Sequence, residues 1–258
     1  MPGRAEIGAA KVEWGVATHI GAGHERNQDA YCTQPPVFVV ADGIGGHADG
    51  HLASHEVIEA LLALTGRVLV DVDMFTESLR DARARIGRIK VDGGRPPGST
   101  LTGVLITDGA AGPSWMVANI GDSRTYRLDS AELKQLTVDH SVVQEMIDAG
   151  AVVQSARRDV PFRNMLTRAI TAGDDYPPDV WFVPMCAGDR ILACSDGVHG
   201  LIDQSAIELV LRQNRDPQSA ADELVNMAVD AGGYDDMTAV VVDAVEISGG
   251  AINRGTER

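Results

Sequence analysis

Apolar residues in this chain fall into short, dense runs, set apart from longer stretches with helical spacing. The runs at 11–20 ("KVEWGVATHI"), 37–41 ("VFVVA"), 100–107 ("TLTGVLIT"), 114–120 ("SWMVANI"), 124–128 ("RTYRL"), 190–195 ("RILACS") and 238–247 ("TAVVVDAVEI") are read as strands, several bounded by glycine or aspartate turns. Between the second and third lies a helical block. In "HLASHEVIEALLALTG" (51–66), Leu52, Val57, Leu61 and Leu64 fall near one face and Gly66 is a stop, while "VDMFTESLRDARARIGRIK" (72–90) continues the 3.6-residue period. Helices are also predicted over 140–150, 203–213 and 216–233. Strands in groups with helices gathered between them, rather than strict alternation, predict an α+β protein of layered sheets. The basic segment "SARRDVPFRNML" (155–166), interrupted by Pro161, is read as a loop.

A length of 258 residues with 44% hydrophobic and 23% charged content fits one soluble globular domain, expected over 11–247 with flexible termini at 1–10 and 248–258. The balance of 22 basic against 37 acidic residues, a formal −15, argues against nucleic acid and anionic membranes and makes cations the natural partners. The cysteines, Cys32, Cys186 and Cys194, show neither CxxC nor CxxH spacing, so a disulfide framework or zinc knuckle is not indicated. With no apolar leader at the N-terminus and no membrane-length apolar window, a cytoplasmic location is expected.

The acids change this picture because of where they stand. Asp42, Asp122 and Asp196 each follow a hydrophobic strand, Asp235 and Asp236 immediately precede one, and Asp29 in "ERNQD" comes just before "AYC". A carboxylate beside a core must be hydrogen-bonded, cation-bound or neutralised, because an unpaired buried charge costs several kcal/mol. Asp-Gly is also an ordinary turn pair, so any one of these acids alone is explained as a cap on its own turn. If the strand ends meet, the acids become oxygen donors around one spot, and an all-oxygen site selects hard ions such as Mg²⁺ or Mn²⁺ over Zn²⁺.

The chain resembles the type 2C, metal-dependent Ser/Thr protein phosphatases, and their bacterial branch in particular. The matches occur in order from about Lys11 to Glu246: "NQDAY", "VVADGIGGHADG", "GSTLTGVL", "ANIGDSRTYRL", "LTVDHSVVQEMIDAG", "LTRAI", "GDRILACSDGVHGLI" and "GGYDDMTAVVV". The resemblance implies a four-layer α-β-β-α sandwich, two central antiparallel sheets flanked by helices. It also implies hydrolysis of phosphoserine and phosphothreonine in proteins, opposing a bacterial Ser/Thr kinase. Asp42 matches the family's metal-bridging acid and Gly43 its carbonyl ligand. Asp196 and Asp235 match acids that join Asp42 at one metal. Asp122 matches the ligand of a third, looser metal, and Asp29 an acid that holds metal-bound water. Two Mn²⁺ or Mg²⁺ ions about 3.5–4 Å apart would activate water for in-line displacement, so no side-chain nucleophile is required.

Some positions depart from the family pattern. His24 stands where many members carry an arginine that pairs with substrate phosphate, so phosphate is expected to meet His24, Arg26, or metal and water alone. Gln28 replaces a common glutamate, and Asp236 replaces an asparagine, adding an acid that either strengthens the metal site or faces solvent. His47, His51 and His55 follow helical spacing but lack further zinc ligands, so surface or capping roles are favoured. Arg124 and Arg168 match recurrent positions and are expected in ion pairs at least as readily as at substrate. These departures leave one alternative, a catalytically weak or inactive phosphoprotein-binding regulatory module of the same fold.

Overall fold

The protein is described by a computed structural model over residues 2–45, 49–68, 70–90, 97–109, 112–173 and 175–248. In chain order the strands of the first half are β1 (Gly3–Ile7), β2 (Ala10–His19), β3 (Asp29–Gln34), β4 (Val37–Ile44), β5 (Gly98–Ser99), β6 (Leu101–Gly109), β7 (Gly112–Ile120), β8 (Arg124–Leu128) and β9 (Leu133–Gln135). They are followed by β10 (Ile170–Thr171), β11 (Asp179–Pro184), β12 (Arg190–Cys194) and β13 (Met237–Ile247). Helices α1 (Gly50–Leu61) and α2 (Val72–Ile86) fall between β4 and β5, α3 (Val142–Asp148) after β9, and α4 (Asp196–His199), α5 (Gln204–Gln213) and α6 (Pro217–Asp230) between β12 and β13.

The strands form two sheets, ordered β1-β2-β13-β12-β8-β9 and β10-β5-β4-β6-β7-β11, with β3 paired to β4. Each named strand pair is antiparallel. The unbroken apolar runs follow from this arrangement, because a central strand here is buried on both faces. Along β4, Val37 and Val39 face the cluster that packs on α1 and α2, whereas Phe38 and Val40 enter the cluster between the sheets. Along β13, Ala239 and Val241 pack with α5 and α6, while Val240 and Val242 face the opposite sheet. Stacking is therefore helices, sheet, sheet, helices, the expected four-layer α-β-β-α sandwich.

Helix boundaries follow capping chemistry. Asp71, Ser141, Asp203 and Asp216 accept from the backbone N–H groups of Met74, Gln144, Ala206 and Ser219 at the starts of α2, α3, α5 and α6. The α1 helix corrects one expectation. Its buried face runs through Ala53, Ser54, Val57, Ala60 and Leu61, and Leu52 is exposed, since five residues from Leu52 to Val57 turn the helix well past one face. A second correction concerns the N-terminus: residues 3–7, expected to be flexible, form β1 in register with β2 from Gly3 opposite Trp14 to Ile7 opposite Ala10. Alternation over only five residues is too short a signal to reveal such an edge strand. The C-terminal residues 249–258 lie outside the described residues. The 155–166 segment overlaps a 3-10 turn over Gln154–Asp159, continues through turns and ends in an isolated bridge between Leu166 and Ser141.

Candidate metal centre

The acids read from the sequence gather where strand ends from both sheets meet. Asp29 and Asp42 sit opposite each other in the β3–β4 register. Asp122 follows β7, Asp196 begins α4 straight after β12, and Asp235 precedes β13; the last three acids line one cleft of about 480 Å³. Burial, followed by the charges of Asp29, Asp196, Asp235 and Asp122, pushes the Asp42 carboxyl well above the usual carboxylate range. Burial and the Asp196 charge do the same to Asp122. Burial raises Asp29 to about 7, and burial with the Asp235 charge raises Asp196 to about 6.

Such crowding of like charges calls for a counter-charge. Among the described residues, Asp29 Oδ1 and Asp196 Oδ1 are buried without a hydrogen-bond partner, the condition under which a carboxylate oxygen is free to ligate. The donor set is all oxygen, so these residues fit hard divalent ions such as Mg²⁺ or Mn²⁺.

Close backbone approach explains the glycines around the site. A Cβ on Gly43 would lie 2.2 Å from the Gly50 carbonyl oxygen and 2.7 Å from that of Gln28. A Cβ on Gly21 would lie 2.3 Å from the Asp235 carbonyl carbon, and one on Gly197 2.1 Å from the Asp236 carbonyl oxygen. Backbone packing therefore requires glycine at these points, whatever else the Gly43 carbonyl does.

Asp236 departs from both roles expected for it. It is buried, and its oxygens accept from the N–H of Gly21 (2.8 Å), the N–H of Gln28 (2.7 Å) and His24 Nδ1 (2.8 Å). It thus clasps the 21–28 loop instead of adding a metal ligand or facing solvent. His24 sits between Asp236 and Asp235, whose Oδ1 is 3.7 Å away. Ligand atoms of His24, Asp235 and Asp236 fall within 4.8 Å of one another, but the hydrogen bonds already made by Asp236 define a structural clasp. Arg26 is exposed and reaches His51 Nε2 at 2.8 Å. His51 and His55 lie on α1 with ring centroids 6.4 Å apart, and His47 lies outside the described residues. Arg168 pairs with Asp179 at 3.0 Å and Arg124 with Asp139 at 2.8 Å, so both arginines make internal ion pairs.

Several supporting residues carried no sequence signal of their own. Ser195 donates from Oγ to Asp29 Oδ2 (2.8 Å) and accepts from the Thr238 N–H (2.9 Å), joining three chain segments. His199 donates from Nε2 to the Asp122 carbonyl (3.0 Å), and burial lowers its pKa to about 3, so the ring is neutral. Asp139, its side chain fully buried, accepts from Arg124 and also from Arg157 of the 154–159 turn, tying that turn to the wall of the cleft. Asp139 lies within the motif "LTVDHSVVQEMIDAG", where its residue type alone does not reveal this task.

Among the described residues no helix is long and apolar enough to cross a membrane. The model of the family described as protein phosphatase 2C matches residues 17–240. The chain is 34% identical over 227 residues to the serine/threonine protein phosphatase PstP of Mycobacterium tuberculosis, covering 85% of this chain and 42% of that protein, so it spans less than half of that relative's length. It is 30% identical over 246 residues to the protein phosphatase PhpP of Streptococcus pneumoniae, covering 91% of this chain and 98% of the relative. The catalytic domain of PstP, solved in complex with two manganese ions, superposes with a TM-score of 0.81 at 30% identity over 91% of this chain and 99% of that one. With ordered motifs, a four-layer sandwich and a family match over most of its length, the chain belongs to the protein phosphatase 2C family.

Proposed function

We propose that this protein is a metal-dependent serine/threonine phosphatase that hydrolyses phosphoserine and phosphothreonine in proteins and so opposes a Ser/Thr kinase. The observation that carries the proposal is the meeting of Asp42, Asp196 and Asp235, with Asp122 and Asp29 beside them, as buried or half-buried acids, of which Asp29 and Asp196 each keep one oxygen without a partner among the described residues. Asp42, the Gly43 carbonyl, Asp196 and Asp235 would hold two Mn²⁺ or Mg²⁺ ions, and Asp122 a third. When bound, these ions supply positive charge that acidifies water and draws in phosphoryl oxygens.

The chain's own residues prepare that chemistry. Ser195 orients Asp29 toward the cluster through one carboxylate oxygen and leaves the other unpartnered among the described residues. Asp236 fixes the 21–28 loop, and with it His24, against Asp235. Because Asp29, Asp42, Asp122 and Asp196 all hold their protons more tightly than an ordinary carboxyl, cation binding releases protons, and affinity falls as the medium becomes more acidic.

Hydrolysis of p-nitrophenyl phosphate and of phosphoserine peptides in the presence of Mn²⁺ tests the proposal. Activity that disappears with EDTA and in Asp42→Ala supports it. Metal-loaded wild-type protein that binds phosphopeptides with no turnover above the Asp42→Ala control would instead make the chain a binding module.

A further inference from the structure

The cleft that holds Asp122, Asp196 and Asp235 has a feature the chemistry of phosphate removal does not use. Tyr234, the residue just before Asp235, lines it with a side chain that is 74% exposed, the most exposed large hydrophobic among the described residues. Aromatic residues make up only 4% of this chain. A large aromatic left in water at the mouth of a site calls for an occupant more than a scattered surface leucine does.

Tyr234 is also held still. The Ala22 N–H donates to the Gly233 carbonyl and the Gly23 N–H to the Tyr234 carbonyl, both at 2.9 Å, so a short backbone ladder fixes the residue to the loop that Asp236 clasps. The ring lies against Gly23, where an added Cβ would come within 2.7 Å of ring atoms Cε1 and Cζ. Its placement therefore loses little conformational freedom on binding, the property that makes tyrosine a frequent contact residue in recognition sites.

The remaining walls fit an extended peptide. Leu201, 38% exposed, is a further apolar residue of the same lining, and Gln154, Ser155 and Asn164 offer hydrogen-bonding side chains along the cleft. Phe162, 73% exposed, precedes the cleft residue Arg163 and holds a φ of 65°, a left-handed conformation uncommon for an aromatic residue. A phosphoserine side chain directed at the acids would carry its neighbouring residues past Tyr234 and Leu201.

We infer that Tyr234 is a specificity-determining residue, whose ring packs on an apolar side chain flanking the phosphorylated residue of a protein substrate. This inference rests on the phosphatase function proposed above and adds the class of substrate sequence it prefers. Among the described residues Phe182, another exposed aromatic, lies instead on the edge strand β11.

A cycle between enzyme and peptide tests it. Initial rates with Mn²⁺ are measured for a phosphoserine peptide with leucine on both sides of the phosphoserine, for its glycine counterpart, and for p-nitrophenyl phosphate. Wild-type protein is expected to prefer the leucine peptide in kcat/KM. Tyr234→Ala should shrink that preference by about fivefold or more, mainly through KM, the size expected when an aromatic anchor of a binding interface is truncated, and Tyr234→Phe should keep it. No preference in the wild type overturns the inference, as does a preference that survives Tyr234→Ala, including a case where all substrates decline together. Absence of turnover on every substrate in the wild type would overturn the phosphatase function itself and this inference with it, an outcome distinguishable because it precedes any variant.

Discussion

Asp29 offers a measurable consequence of assembling so many acids in one place. Its side chain is buried, and burial lifts its pKa from 3.8 to about 7 against the hydrogen bonds of Thr238 and Ser195 that favour ionisation. A group whose proton affinity rises on folding contributes most to stability below its unfolded pKa, and that contribution is lost as pH rises through the folded value. In the metal-free wild-type protein the Asp29 contribution should therefore be lost between about pH 4 and pH 7, on top of the losses from Asp42, Asp122 and Asp196 that wild type and variant share. At about 1.4 kcal/mol for each tenfold in proton affinity, the Asp29 carboxylate makes the metal-free fold roughly 4 kcal/mol less stable at pH 8. Asp29→Asn keeps the shape and an acceptor for Ser195 while removing the charge. In EDTA, urea unfolding at pH 4 should leave the two proteins close, and at pH 8 the variant should be the more stable by about 2–4 kcal/mol, allowing for partial solvent relaxation. Saturating Mn²⁺ should shift the order toward the wild type, because the variant keeps the direct ligands but lacks the Asp29 charge that faces metal-bound water and so gains less from the ion. Parallel loss of stability in the two chelated proteins from pH 4 to 8 would refute the reasoning.

Other perturbations test separate parts of the structure. Asp139→Asn leaves the guanidinium groups of Arg124 and Arg157, 12% and 16% exposed, without their shared carboxylate, and should cost about 3–5 kcal/mol in chemical denaturation. Asp81→Asn, which breaks the exposed pair with Arg85, should stay within about 0.5 kcal/mol in the same assay. Asp236→Asn puts an amide donor among the N–H groups of Gly21 and Gln28 and the His24 ring; it should destabilise by about 1–3 kcal/mol and weaken Mn²⁺ binding measured by calorimetry, through movement of the adjoining Asp235. In Gly43→Ala the new methyl meets the Gly50 carbonyl at 2.2 Å, so β4 and α1 must separate, with an expected loss of about 1–3 kcal/mol and reduced Mn²⁺ affinity.

The central strands were legible because burial on two faces demands nearly continuous apolar residues, as at Val37–Ala41 and Ala239–Val242. The helix starts coincide with local chemistry, since Asp71, Ser141, Asp203 and Asp216 each cap an N–H three residues on. Edge strands such as β1 and β11, half solvent-facing and short, left no comparable pattern. The acids of the site were visible as carboxylates at strand ends, and the family resemblance ordered them, because their chain positions suffice to mark them as candidates. What each supporting residue does was settled only by contact across the fold. Ser195 meets Asp29 from 166 positions away, and Asp236 meets Gly21 from 215. A hydrogen bond depends on distance in space and not along the chain, so the sequence by itself determined the elements and the chemistry available, and only the tertiary structure decided which acids share one charge environment and which, like Asp236 and Asp139, are spent on holding loops in place.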